Sequence, residues 1–234
     1  MRVDSIEGFV LHARDYRDTS QLVDIFTLKF GRVRLVAKGT RSQKKNSSRL
    51  SPFTLGHFSW TGRSELKTLT QFEAQKHLAL QGENLICGFY LNELLWHLLQ
   101  PEDSHPDLYL QYKETLEILE HQLELEPLLR GFELNLLDEV GYGISFEYDT
   151  EGDEIRDDLF YSLSAEQGWC KTQSREAQAY PGETILGIHT KGFENKGVRS
   201  ACKRINRTLI DSLLEGRKLN SRELIGQKPS QEKA

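Results

Sequence analysis

The chain reads as an α+β protein: a small five-stranded β-barrel followed by an α-helical bundle domain that carries a small β-hairpin. Three observations predict this. Alternation of apolar residues with period two dominates the first 80 residues, helical spacing takes over after Gly82, and the charge reverses sign between the two regions. Residues 1–80 hold 14 bases against 7 acids, residues 81–197 hold 7 against 24, and residues 198–234 hold 9 against 4. The overall charge of −5 therefore conceals two basic ends. At physiological salt charges are screened over about 8 Å, so a basic module senses little of an acidic one a domain's width away. The expected division is 1–80 for the barrel, 81–227 for the helical domain and 228–234 for a disordered tail.

Ile6 to Ala13 reads as the first strand, with Phe9, Leu11 and Ala13 on one side, and Arg14 to Ser20 as the polar turn after it. Gln21 to Thr27 is rich in β-branched and aromatic residues and forms the second strand. In the third, Val33, Leu35 and Ala37 point one way while Arg32, Arg34 and Lys38 point the other. A Gly/Ser/Asn-containing loop follows, up to Pro52. Thr54 to Thr61 and Leu66 to Ala74 complete five short strands, with Phe58 and Trp60 sharing a face. Five strands with a long loop after the third fit an oligonucleotide-binding (OB) fold. Beyond Gly82, apolar residues recur at helical spacing from Leu85 to Leu99, from Asp107 to Leu123 and from Pro127 to Leu137, with stops at Pro101 and Gly141-Tyr142-Gly143. Phe160 to Lys171 reads as a hairpin around Gln167-Gly168, Glu183 to Thr190 as a short helix, and Val198 to Leu214 as the last long helix.

Between Lys29 and Arg49 there are eight Lys or Arg and no acid. Such a stretch can follow a phosphate backbone, and aromatic faces beside it can stack on unpaired bases. Arg14, Tyr16, Arg32, Arg34, Lys38, Arg41, Lys44, Lys45 and Arg49 are the candidate nucleic-acid contacts in the barrel, with Phe53 a nearby aromatic and Trp60 assigned to the core. Arg199, Lys203, Arg204 and Arg207 crowd the first half of the last long helix and form a second candidate set. The alternative reading of the basic stretch is a solvated strand face and a charged loop. Common catalytic signatures are absent from the sequence: Gly141-Tyr142-Gly143-Ile144-Ser145 misses the nucleophile-elbow spacing, and no phosphate-loop or zinc-protease motif occurs. The expectation is a binding protein without catalytic residues, cofactor or metal. Cys87, Cys170 and Cys202 form no C-x-x-C pair, which favours a reducing compartment. With no export signal or apolar span read in the sequence, a cytoplasmic, nucleoid-associated location is expected.

Phe9-Val10-Leu11 to Thr19-Ser20, Phe26, Gly31 to Arg41, Pro52-Phe53, Tyr90-Leu91-Asn92-Glu93-Leu94-Leu95, Arg130 through Gly143, and Ser221-Arg222-Glu223-Leu224 together resemble the bacterial RecO family of DNA repair proteins. The resemblance implies an ATP-independent recombination mediator. Such a protein binds single- and double-stranded DNA, anneals complementary strands, and with RecR helps RecA replace single-strand-binding protein (SSB). Many relatives carry a four-cysteine zinc site; this chain lacks those cysteines, so no zinc is expected and the hairpin should pack without metal. The resemblance also implies an SSB tail that is acidic and ends in an apolar residue. Leu129, Arg130, Phe132 and Leu136 are the candidate contacts, with Arg130 at the lip of an apolar pocket; the competing reading pairs Arg130 with Glu126 or Glu133 along its own helix. An RNA-binding OB-fold factor in translation or ribosome maturation is the alternative function, because phosphate contacts do not distinguish the sugars. A metal-dependent nuclease is a third class.

Overall fold

The computed structural model describes residues 1–40, 49–121, 125–173 and 179–225. The tail expected at 228–234 lies outside them. Two compact units are present: Met1–Leu123 with Leu219–Ala234, and Glu124–Lys218. The helices thus divide between the two units, and the family of helices that follows the barrel in sequence belongs partly to the barrel's own unit.

Unit 1 is built on β1 (Arg2–Tyr16), β2 (Ser20–Thr27), β3 (Gly31–Ala37), β4 (Thr54–Thr61) and β5 (Leu66–His77). They close in the order β1-β2-β3-β5-β4, with β1 paired to β4 and a short parallel seam between β3 and β5. All five predicted strands are present, in the connectivity of an OB barrel. The interior holds Val10, Val23, Ile25, Val33, Leu35, Ala37, Phe58 and Trp60. One expectation is corrected here. Phe9, Leu11 and Ala13 do not share a face, because a bulge between Val10 and His12 shifts the register against β2. Val10 and Ala13 consequently pack into the barrel, whereas the Phe9 ring meets Tyr112 edge-on on the other side.

That other side is covered by helices α1 (Gly82–Leu98) and α2 (Pro106–His121), both in unit 1. Phe9 and Phe26 each meet Tyr109 and Tyr112, forming an aromatic layer between barrel and helix. Inside it the Asn92 amide donates to the Leu11 carbonyl at 2.8 Å and accepts from the Tyr112 hydroxyl at 2.5 Å. A buried amide left without such partners would destabilise the unit, so this pair of bonds also sets how α1 sits. Helix α6 (Asn220–Ile225) returns to α1, where the Glu93 carboxylate accepts from the backbone N–H groups of Asn220 and Ser221 and from the Ser221 hydroxyl. This short helix was not anticipated; its first turn is capped by a residue far away in sequence.

The loop from Leu99 to His105 seals the open flank of β3. Arg32 bridges to Pro101, the Glu102 N–H donates to the Arg32 carbonyl at 2.9 Å, and Ser104 Oγ donates to the Leu28 carbonyl. Lys67, buried on β5, meets Glu102 at 2.6 Å. Gly31 permits this approach: its φ is +57°, and a Cβ there would stand 1.6 Å from the Asp103 carbonyl oxygen.

Unit 2 contains α3 (Leu125–Glu139), β6 (Phe160–Ser164), β7 (Gly168–Thr172), β8 (Ala179–Pro181), α4 (Gly182–His189) and α5 (Lys196–Leu214). The predicted hairpin is β6–β7, and β8 adds a third strand on the other side of β6. Helix α5 starts at Asn195, whose side chain accepts from Gly197 and Val198 N–H, and buries a stripe from Val198 through Ile205 and Leu209 to Leu214.

Two measurements check this packing. Gly31→Ala should cost about 3 kcal/mol, the upper range for a strained backbone position, because the left-handed strain is joined by the clash with Asp103. Urea unfolding with an unchanged midpoint would show that the Leu99–His105 loop is not seated on β3. The second concerns Glu7, which accepts from Tyr109 Oη at 2.9 Å and Lys113 Nζ at 3.1 Å. Burial would raise its pKa, but these two donors outweigh it and hold the carboxyl below its usual 4.5. A depressed folded pKa contributes stability above the unfolded value and loses it as pH falls through the folded one. Glu7→Gln should therefore cost about 1 kcal/mol at pH 7. The gap from wild type should close as the pH drops below the ordinary carboxylate range, and a gap independent of pH would dissociate the effect from the Glu7 charge.

Candidate nucleic-acid interface

The charged face of β3 is largely occupied by the protein itself. Asp24 on β2 stands directly opposite Arg34 in the β2–β3 register, and its side chain is only 3 % exposed. Arg34 Nε donates to Asp24 Oδ1 at 2.8 Å, and Arg32 lies 3.8 Å from the same oxygen. Both guanidinium groups also lie over Trp96 of α1, each 5.8 Å from the ring centre. Arg32 further donates to the Leu99 carbonyl and is 11 % exposed. Burial lowers its pKa, and Asp24 partly offsets that effect. These two arginines are counter-ions and helix contacts. The acid-free count between residues 29 and 49 missed this, since the neutralising acid sits on the neighbouring strand.

The exposed cations of the barrel gather elsewhere. Asp15, Gln21 and Ala37 lie in one row across β1, β2 and β3, beside the β1–β2 hairpin. Arg14 is exposed before the hairpin turn and Lys38 is exposed just past β3. Among the described residues neither has an acidic partner. Arg17, at φ +53°, lays its guanidinium over the half-buried Tyr16 ring at 5.2 Å. Arg49 Nη2 reaches Asp15 Oδ1 at 2.9 Å, and Gln21 clamps the next residue by exchanging two hydrogen bonds with the Leu50 backbone. Thr40 and Arg49, the residues flanking the basic loop, thus both belong to this end of the barrel. Arg41, Lys44 and Lys45 lie outside the described residues. Lys29 is exposed at the opposite end of β3. Phe53 is no stacking platform: it is buried, at φ +64°, and packs on Phe89 in the space left by Gly88. Trp60 is in the core, edge-on to Phe30.

In unit 2 the candidate tail contacts are interior. Leu129, Phe132 and Leu136 are buried, and so is Arg130, whose Nη2 donates to Glu133 Oε1 at 2.6 Å. Asn206 of α5 donates to the other Glu133 oxygen at 2.9 Å. The pairing along the helix is the arrangement the structure adopts, and it gives no open lip at Arg130. Cys202 beside this pair has its thiol pushed up to about 12, mainly by burial and then by the Glu133 charge. On α5, Arg199 donates to the Phe193 and Glu194 carbonyls and Lys203 pairs with Glu126 at 3.0 Å. Arg204 and Arg207 face a cleft beside the small sheet.

One group of side chains among the described residues has the spacing of metal ligands, with the carboxylate oxygens of Asp149, Glu151 and Asp153 all within 4.8 Å of one another. The Lys171 ammonium of β7 sits among them, 3.0 Å from Asp149 and bonded to Asp153. Burial would raise the Asp149 pKa, yet the bonds from Lys171 and from the Asp153 and Glu151 N–H groups outweigh it and lower it. This lysine ties the hairpin to the acidic loop, together with Trp169 Nε1 donating to the Ser145 carbonyl at 2.8 Å.

Taken together, the fold and this charge distribution define an OB-barrel protein with a helical extension and a cationic hairpin end. Residues 1–77 match the family model described as Recombination protein O N terminal, and residues 79–223 match Recombination protein O C terminal. The chain is 42% identical to the DNA repair protein RecO of Tolumonas auensis over 225 residues, covering 94% of each chain. It is 42% identical to that of Methylococcus capsulatus over 93% of this chain and 90% of the relative. For the Haemophilus influenzae protein of that name the identity is 37%, over 97% of this chain and 98% of the relative. The chain belongs to the recombination protein O family. Among the described residues no helix is long and apolar enough to cross a membrane.

The pairing at Asp24 can be tested directly. Arg34→Ala removes the closest partner of a buried carboxylate and should cost about 2–3 kcal/mol, the usual worth of a hydrogen bond to a charged group. Adding Asp24→Asn should recover part of that loss, and thermal melts showing simple additivity of the two changes would mean that the residues are not coupled.

Proposed function

We propose that this protein acts in DNA repair and homologous recombination as an ATP-independent recombination mediator, a binding protein and not an enzyme, at work in the cytoplasm on the nucleoid. On this reading it binds single- and double-stranded DNA and anneals complementary strands. With RecR it helps load RecA onto DNA coated by SSB. The observation that carries the reading is the hairpin end of the barrel, in a chain of this family. Arg14 and Lys38 present cations without acidic partners there, beside the Arg17–Tyr16 stack, where the basic stretch leaves β3. Cations that need not abandon an internal carboxylate can release counter-ions from a phosphate backbone at little cost, and this is the main sequence-independent source of affinity. Arg32 and Arg34 lack that freedom, because both are held at Asp24 and Trp96. The acidic SSB tail is left without an assigned contact, since Arg130 is committed to Glu133.

Arg14→Ala combined with Lys38→Ala should leave the circular dichroism spectrum intact and weaken binding to an oligothymidylate. The slope of log affinity against log salt should fall in magnitude by about 1.4, or 0.7 for each lost single-strand contact. Annealing of complementary strands should slow in parallel. Wild-type protein that preferred matched RNA and did not anneal DNA would overturn the proposal in favour of an RNA-handling role.

A further inference from the structure

Helix α5 carries five cations, and the structure uses them differently. Arg199 closes the turn before the helix through the Phe193 and Glu194 carbonyls, and Lys203 is neutralised by Glu126. Arg204 and Arg207 instead line a cleft of about 470 Å³ between α5 and the small sheet, together with Ser162, Tyr180, Thr208 and Asp211. The Arg204 guanidinium lies over the Tyr180 ring, 5.4 Å from its centre. The ring in turn meets Trp169 edge-on, which holds it in place. An aromatic beneath the plane orients a guanidinium while leaving its in-plane N–H groups available. Among the described residues no carboxylate lies within ion-pair distance of Arg204, and Arg207 has only Asp211, at 3.6 Å. Arg204 thus stands beside a single ion pair, Arg207 with Asp211, along one wall.

The ligand that fits this wall is acceptor-only and negatively charged. The hydroxyls of Thr208 and Ser162 already donate, to the carbonyls of Arg204 and Cys170, so the arginines supply the free donors. The Tyr180 ring is already covered by Arg204, and Leu163 and Ala179 are the other apolar residues of the lining, so the charged donors of the wall lie on α5. We infer that the cleft between α5 and the small sheet is a phosphodiester-binding site for single-stranded nucleic acid, with Arg204 and Arg207 donating to phosphate oxygens. This rests on the nucleic-acid reading of the protein and adds to it a second contact, in unit 2.

The test uses the full chain and an oligothymidylate probe, with anisotropy recorded across a salt series. Three proteins are compared: wild type, Arg204→Ala with Arg207→Ala, and Arg14→Ala with Lys38→Ala. The α5 pair is exposed, so its replacement should leave the fold intact. It should weaken binding by about tenfold or more and lower the salt slope by about 1.4, two single-strand contacts' worth. Oligonucleotide should also slow hydrogen exchange in β6 and α5 of the wild type, and not in the α5 variant. Unchanged affinity and slope in the α5 variant, with loss in the barrel variant, would overturn the cleft and leave the proposed function standing. Failure of the wild type to bind would overturn both. An acidic peptide ending in an apolar residue that bound wild type and not the α5 variant would give the cleft to a protein partner and overturn the assignment.

Discussion

A single buried carboxylate organises the barrel's outer face. Asp24 sits on a strand whose every residue is buried, and a carboxylate in that position requires charged partners. Arg34 comes from directly across the sheet and Arg32 from two residues earlier on the same strand. Once both are drawn to Asp24, their planar groups provide the surface on which Trp96 lies, and Arg32 has a donor left for the end of α1 at Leu99. The loop that follows α1 then runs along the start of β3, where Gly31 leaves room for it and Lys67 receives Glu102. One ion pair between adjacent strands thus connects sheet, helix and loop.

The same logic of satisfied buried groups explains the helices around it. Asn92 and Glu93 are neighbours on α1 with unrelated tasks: the first joins the Leu11 carbonyl to the Tyr112 hydroxyl, the second caps α6. In unit 2 the Arg130–Glu133 pair is completed by Asn206 from α5. Such networks add modestly to net stability, but breaking one partner is costly, so they specify which surfaces meet.

The proposed function draws on cations left over after those demands are met. Among the described residues around β3 they include Arg14 and Lys38, grouped with the Arg17–Tyr16 stack at one end of the barrel, and Lys29 at the other. On α5 there is Arg204, with Arg207 next to it held only by the exposed Asp211. A count of basic residues overstates an interface, because arginines that hold internal carboxylates contribute little to counter-ion release.

Periodicity, β-branched content and the Pro and Gly turn signals determined the five strands, the β6–β7 hairpin and the long helices, since each is a local property of the chain. The sign of charge along the chain also marked out the two basic stretches, though not which of their cations have internal partners. Tertiary structure decided the rest. The bulge at Val10–His12 put Ala13 on the opposite face from Phe9, and a one-residue shift of this kind depends on the partner strand, which local pattern does not encode. Asp24 lies eight positions before Arg32 and so outside the acid-free window, yet sheet pairing places it opposite Arg34. Arg130 stood among apolar residues in the sequence both as a lip residue would and as a buried ion pair does; only the packing of α5, with Asn206 reaching Glu133, separated the two. Residue types and periods are local properties, whereas the partner that neutralises a charge is chosen by the fold.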